Sequence, residues 1–178
     1  MDKRSDAIIE KYAAPFVQIV LEKNQQRDVF RELSQIKGIF EETHLADFLS
    51  HIGVDEGEKE KALRLFQNSD SQLIDNFIEV VILNHRADLF YDMLVEIQHQ
   101  IEKQSNEFEV TVKSVQALTD SQKERLKPMI EQKMGLKVRS LKQELDASLI
   151  GGFVISANNK TIDASIKRQL QLVKENLK

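Results

Sequence analysis

Along this chain the spacing of apolar side chains changes once, and that change bounds what the chain can fold into. Up to about residue 105 apolar residues recur at steps of three and four, and from Phe108 onward they alternate with polar ones. Steps of three and four build a stripe along an α-helix, whereas alternation places every second side chain on one face of a strand. The sequence therefore predicts an α+β protein of two domains, an N-terminal six-helix bundle over residues 1–105 and a small C-terminal α/β domain over 106–178. The polar stretch Lys103-Gln104-Ser105-Asn106 is the expected joint. Charge divides at the same place: residues 1–105 carry 12 basic and 20 acidic side chains, net −8, and residues 106–178 carry 13 and 9, net +4.

In the first part, Ile8, Tyr12, Phe16 and Val20 form one row and Ile9, Ala13, Val17 and Leu21 a second beside it. Val29, Leu33, Ile36 and Phe40 mark a second helix. Leu45, Phe48, Leu49 and Ile52 mark a short third, closed by Gly53 because glycine tolerates positive φ. Asp55 with Glu58, and Ser69 with Gln72, have the spacing of capping boxes for a fourth and a fifth helix. The fifth runs from Leu73 to about Asn84, and a sixth uses Phe90, Met93, Leu94, Ile97 and Ile101.

In the second part, Phe108, Val110 and Val112 predict a half-buried strand. Thr119 and Gln122 open a helix with Leu126, Ile130 and Met134 on one face, closed by Gly135. Val138 to Leu145 is a second strand, and the apolar run Leu149 to Ile155 reads as a central one. Asn158-Asn159 supplies a turn, Thr161-Ile162 resumes the sheet, and Ile166, Leu170, Val173 and Leu177 form a last amphipathic helix. Pro15 and Pro128 fall inside predicted helices, where apolar spacing continues across them, so kinks are expected rather than helix ends.

Composition narrows function. Apolar residues at 41% and charged residues at 30% describe a folded chain, and the absence of cysteine removes disulfides, thiolate metal sites and a cysteine nucleophile. No apolar run reaches the roughly 20 residues of a bilayer span, and the first residues lack a signal-peptide core, so a cytosolic protein is expected. His44, His51, His85 and His99 show no metal-ligand spacing; His44 and His51, seven apart, could share a helix face but read as solvated helix ends. Phosphate-cradling glycine loops and nucleophile elbows are missing, so no active site and no cofactor are expected. An RNA-binding regulator is the alternative, through Lys137, Arg139 and Lys142, but Phe108 and Phe153 alone make a poor stacking platform. A small hydrolase would need converging polar groups.

One feature is in surplus. At 100° per residue the apolar positions of the first helix span roughly 220°, more than the ~100° needed to face a core. Val80-Val81-Ile82-Leu83 covers the whole circumference at the end of the fifth helix. Either the fifth helix is central in the bundle, or the two helices leave a groove for a partner's amphipathic helix. The sequence leaves both open.

The string Leu145-Asp146-Ala147-Ser148-Leu149-Ile150-Gly151-Gly152-Phe153-Val154-Ile155, followed by Thr161-Ile162-Asp163-Ala164-Ser165-Ile166, resembles the signature of the delta subunit family of F-type ATP synthases, which includes the mitochondrial oligomycin-sensitivity-conferring protein. Lys11-Tyr12-Ala13-Ala14-Pro15-Phe16 is similar to the family's start, and the likeness in length and order covers essentially the whole chain. Ala147 stands where the family often has proline, Ala164 where it often has glycine, and Pro15 where it keeps a helix former. The resemblance implies a non-catalytic stator subunit on the cytoplasmic face of a bacterial membrane, associated with it only through the complex and binding no nucleic acid. It implies that the helical domain binds amino-terminal helices of alpha subunits through its first and fifth helices, the pair with surplus apolar surface. Carried onto this chain, the groove residues are Tyr12, Phe16, Ile74, Phe77, Ile78 and Val81. The α/β domain is expected to meet the carboxyl end of the b subunit through Lys167, Arg168, Leu170 and Lys174. Asp146, Gly151, Gly152, Asp163 and Ser165 carry the signature and read as structural, the last two as caps of the final helix.

Overall fold

Helical spacing in the first hundred residues is matched by helices in the computed structural model, which describes residues 3–67 and 70–176. They are α1 (Lys3–Glu22), α2 (Gln26–Thr43), α3 (Leu45–Ser50), α4 (Glu56–Arg64), α5 (Gln72–Leu83) and α6 (Phe90–Ser105), with a 3-10 turn at Ala87–Leu89. The periodic residues named above are the ones that pack: Ile9, Ala13 and Val17 of α1, Leu33 and Phe40 of α2, and Phe90, Met93, Leu94 and Ile97 of α6 share one core. α6 lies against both α1 and α2.

Local punctuation departs from expectation at several points. α3 ends at Ser50 with His51 as its cap, and Ile52 is fully exposed rather than part of an apolar face. Gly53 has no positive φ: the His51 amide donates to Phe48 O at the helix end, and the Gly53 amide donates to His51 Nδ1 at 3.0 Å. A left-handed residue does stand just before this helix, His44 between α2 and α3. Asp55 does cap α4, but it accepts from the Gly57 amide at 2.9 Å instead of pairing with Glu58. Ser71 stands at the cap position of α5, and Ser69 lies outside the described residues. α1 continues through Pro15.

Residues 106–178 form a second compact unit, dividing from the first after Ser105. Its strands are β1 (Glu107–Ser114), β2 (Lys137–Leu145), β3 (Phe153–Ala157) and β4 (Lys160–Asp163), in sheet order β2-β1-β3-β4. β1 and β2 are parallel, which requires a crossover, and α7 (Asp120–Met134) supplies it. The other pairs are antiparallel. Thr119 and Gln122 form a true capping box, Gly135 closes α7 at φ +67°, and the helix runs on through Pro128. Leu126, Ile130 and Met134 pack on Phe108, Val110, Val112 and Ile155. Phe108 and Phe153 thus belong to the core side of the sheet and offer no platform for bases. Asn158 and Asn159 turn the chain at φ +46° and +57°.

The run Leu149–Ile155 is not one strand. A 3-10 turn covers Ala147–Leu149, Ile150 takes φ +66°, Gly152 takes φ +77°, and the strand begins only at Phe153. α8 (Ile166–Asn176) follows β4, and Leu177 lies outside the described residues.

Candidate functional site: an apolar furrow and an unburied helix

α5 divides its apolar residues into two stripes. Ile74, Ile78, Val81 and Ile82 turn inward, and the first three are fully enclosed. Leu73, Phe77, Val80 and Asn84 lie one position, or 100°, round the helix and line an open furrow of about 450 Å³. Its other wall comes from α1, through Lys11, Tyr12, Pro15, Phe16 and Ile19. The rings of Phe16 and Phe77 join the two helices, with centroids 4.7 Å apart and planes tilted by 44°. Behind them Phe77 meets the enclosed Phe90 at 6.3 Å. Phe77 is only 6% exposed, whereas Val80 is 46% exposed. The far side of α5 is held by Glu79, which accepts from Arg64 at 2.7 Å and from Gln67 at 2.8 Å. Those bonds, Arg64's first, hold the Glu79 carboxyl below its ordinary range.

Of the six groove residues expected from sequence, the structure brings together Tyr12, Phe16 and Phe77. Ile74, Ile78 and Val81 are a correction: they belong to the core, because the helix must spend one stripe on holding its own unit together. Leu73, Val80 and Ile19 were missed, although the signal existed in a second stripe offset by one residue from the first. Lys11 is the one charged side chain lining the furrow among the described residues, beside Asn76 and Asn84. Such a surface is mostly apolar and open to solvent. Among the described residues, no cluster of histidine and carboxylate side chains can hold a metal.

The signature residues converge on the start of α8. Asp146 accepts from the Ser148 amide at 2.9 Å and is held below the ordinary carboxyl range by Ser148. Ala164 donates to Phe153 O and Ile166 to Gly151 O, at 2.9 and 3.0 Å. Asp163 accepts from the Ser165 amide at 3.0 Å, and the buried Ser165 hydroxyl accepts from the Arg168 amide at 3.2 Å, capping the helix. A Cβ on Gly152 would stand 2.4 Å from Ala164 O. Beyond that start α8 buries none of its described side chains: Ile166, Leu170 and Val173, one stripe by spacing, are all exposed. Lys167 and Lys174, seven apart, border the stripe, whereas Arg168 lies on the far side of the helix.

The sequence model of the family "ATP synthase delta (OSCP) subunit" matches residues 8–177. The chain belongs to the ATP synthase delta (OSCP) subunit family. Curated relatives called ATP synthase subunit delta include one from Streptococcus sanguinis, 75% identical, and one from Streptococcus gordonii, 70% identical, each aligned over the whole of both chains. A chain in the Toxoplasma gondii mitochondrial ATP synthase hexamer shares the fold, with a TM-score of 0.63 over 95% of this chain and 96% of that one at 14% identity. As a delta-family subunit the protein is a non-catalytic component of the peripheral stalk of an F-type ATP synthase, and it serves ATP synthesis and ion transport through that complex. Among the described residues no helix is long and apolar enough to cross a membrane, and membrane association is peripheral.

Proposed function

We propose that the furrow between α1 and α5 receives an amphipathic helix from the amino terminus of an alpha subunit, and that α8 meets the carboxyl end of the b subunit. Tied at both points, the chain resists the torque of the rotor so that the catalytic head stays still, on the cytoplasmic face of the bacterial membrane. The observation that carries this reading is the furrow itself: Phe16 and Phe77 form its floor, Ile19 and Val80 are apolar walls that the unit leaves exposed, and Leu73 beside them is half-buried. Burying apolar walls contributes about 25 cal/mol per Å², less the cost of ordering the incoming helix. Holding against torque calls for nanomolar binding, about −12 kcal/mol, which a few well-packed anchors can supply. The exposed stripe of α8, bordered by Lys167 and Lys174, supports the second contact.

Val80 is the residue to test, because it is half-exposed and its loss leaves the core intact, unlike that of Phe77. Val80→Asp is expected to weaken binding of an alpha amino-terminal peptide at least tenfold with an unchanged circular dichroism spectrum. Equal affinity of the folded variant and the parent would discard the furrow as the alpha site.

A further inference from the structure

The apolar surface around α8 extends onto the turn that holds it. Ile150 has φ +66° and ψ −35°, a conformation that β-branched residues rarely adopt. It is nevertheless 69% exposed and belongs to neither core, so packing within the chain does not account for an isoleucine there. The next residue, Gly151, accepts the Ile166 amide at 3.0 Å, and a Cβ on it would lie 2.5 Å from Ile166 Cδ1. The strained turn is therefore seated against the first residue of the exposed stripe Ile166, Leu170 and Val173. Lys167 and Lys174 run along that stripe, on a unit whose net charge is +4. Apolar surface with a basic border is complementary to an acidic amphipathic helix.

We propose that Ile150 is a contact residue of this face, held out at positive φ so that a docked acidic helix, the carboxyl-terminal segment of the b subunit, meets it beside Ile166. The inference rests on the stalk contact proposed above for α8. An isoleucine kept where its backbone is strained and its side chain is wet is accounted for by a surface that is dry only in the complex.

Ile150→Asn separates the two claims, since asparagine tolerates positive φ while removing the apolar side chain; Ile150→Gly serves as a second variant with the same freedom. In titrations of the full chain with the b carboxyl-terminal segment, both are expected to weaken binding about tenfold without lowering the unfolding midpoint, and Ile150→Leu is expected to retain affinity. Leu170→Ser is the reference on α8. Loss of binding in Leu170→Ser with parental affinity in Ile150→Asn overturns the assignment of Ile150 and leaves the stalk contact standing. Parental affinity in all of them overturns both. A parent chain that dimerises, with a dimer that Ile150→Asn dissolves while b binding is unaltered, assigns the face to a second copy and overturns the proposal as well.

Discussion

Ile150 and Gly152 both hold positive φ within one turn, and only the second is a residue that such a backbone favours. At Gly152 the restriction is double, because a side chain would also meet the Ala164 carbonyl, which is backbone and cannot step aside. Gly152→Ala is therefore expected to destabilise the second unit by about 2–4 kcal/mol. Urea unfolding followed through the NMR signals of Val110 and Ile155 checks it, and a loss below about 0.5 kcal/mol, the ordinary surface range, would show that the turn yields. Both residues read in the sequence as parts of a single apolar strand, since hydrophobicity alone does not distinguish a buried strand from a turn whose side chains point outward. The signature string was legible as a motif, and Asp163 and Ser165 as caps of α8; that the string also ties the start of α8 back to itself was not, because the hydrogen bonds to Gly151 and Phe153 join positions more than ten residues apart.

Among the elements, those with self-contained signals were legible. The capping box of α7 was, because Thr119 and Gln122 exchange their bonds within one turn. The one expected for α4 from Asp55 and Glu58 does not form, because the Asp55 carboxylate is engaged by the nearer Gly57 amide. α5 shows the limit most clearly: its apolar residues cover the helix, and nothing local says which stripe the core takes. α7 also carries a cost that can be tested. Pro128 is exposed and lies mid-helix, where it removes one backbone hydrogen bond. Pro128→Ala is expected to stabilise the second unit by about 1–3 kcal/mol, read as a shift in its denaturation midpoint. A variant less stable than the parent would mean that Pro128 is needed for α7 to lie on the sheet.

At the scale of the whole molecule, acid acts in opposite senses on one carboxyl group of each unit. In the first, burial together with Asp6 and Asp88 pushes the Asp92 carboxyl above its ordinary range. The folded state then takes up a proton more readily than the unfolded one, so this group's contribution falls as pH rises through that window and is unfavourable at neutrality. In the second, Ser165 holds Asp163 below its ordinary range. That contribution is present at neutral pH and is lost as pH falls through the lowered value, loosening the start of α8. Asp92→Asn is accordingly expected to be more stable than the parent at pH 7, by an advantage that shrinks as the parent's Asp92 protonates on acidification. Paired denaturation curves of parent and variant at pH 7 and in acid decide this, and equal stability at pH 7 would overturn it.

The sequence by itself determined where the helical period ends and the strand period begins, most helices and strands, and the family to which the chain belongs, because periodicity, caps and a signature string are properties of neighbours along the chain. Only the tertiary structure decided that Val80 rather than Val81 faces the furrow, that Ile150 stands out at positive φ, and that α8 leaves its apolar stripe uncovered. Each of those depends on which surfaces meet across long stretches of chain. A helix with more apolar faces than its unit can cover carries no local mark of the one left for a partner.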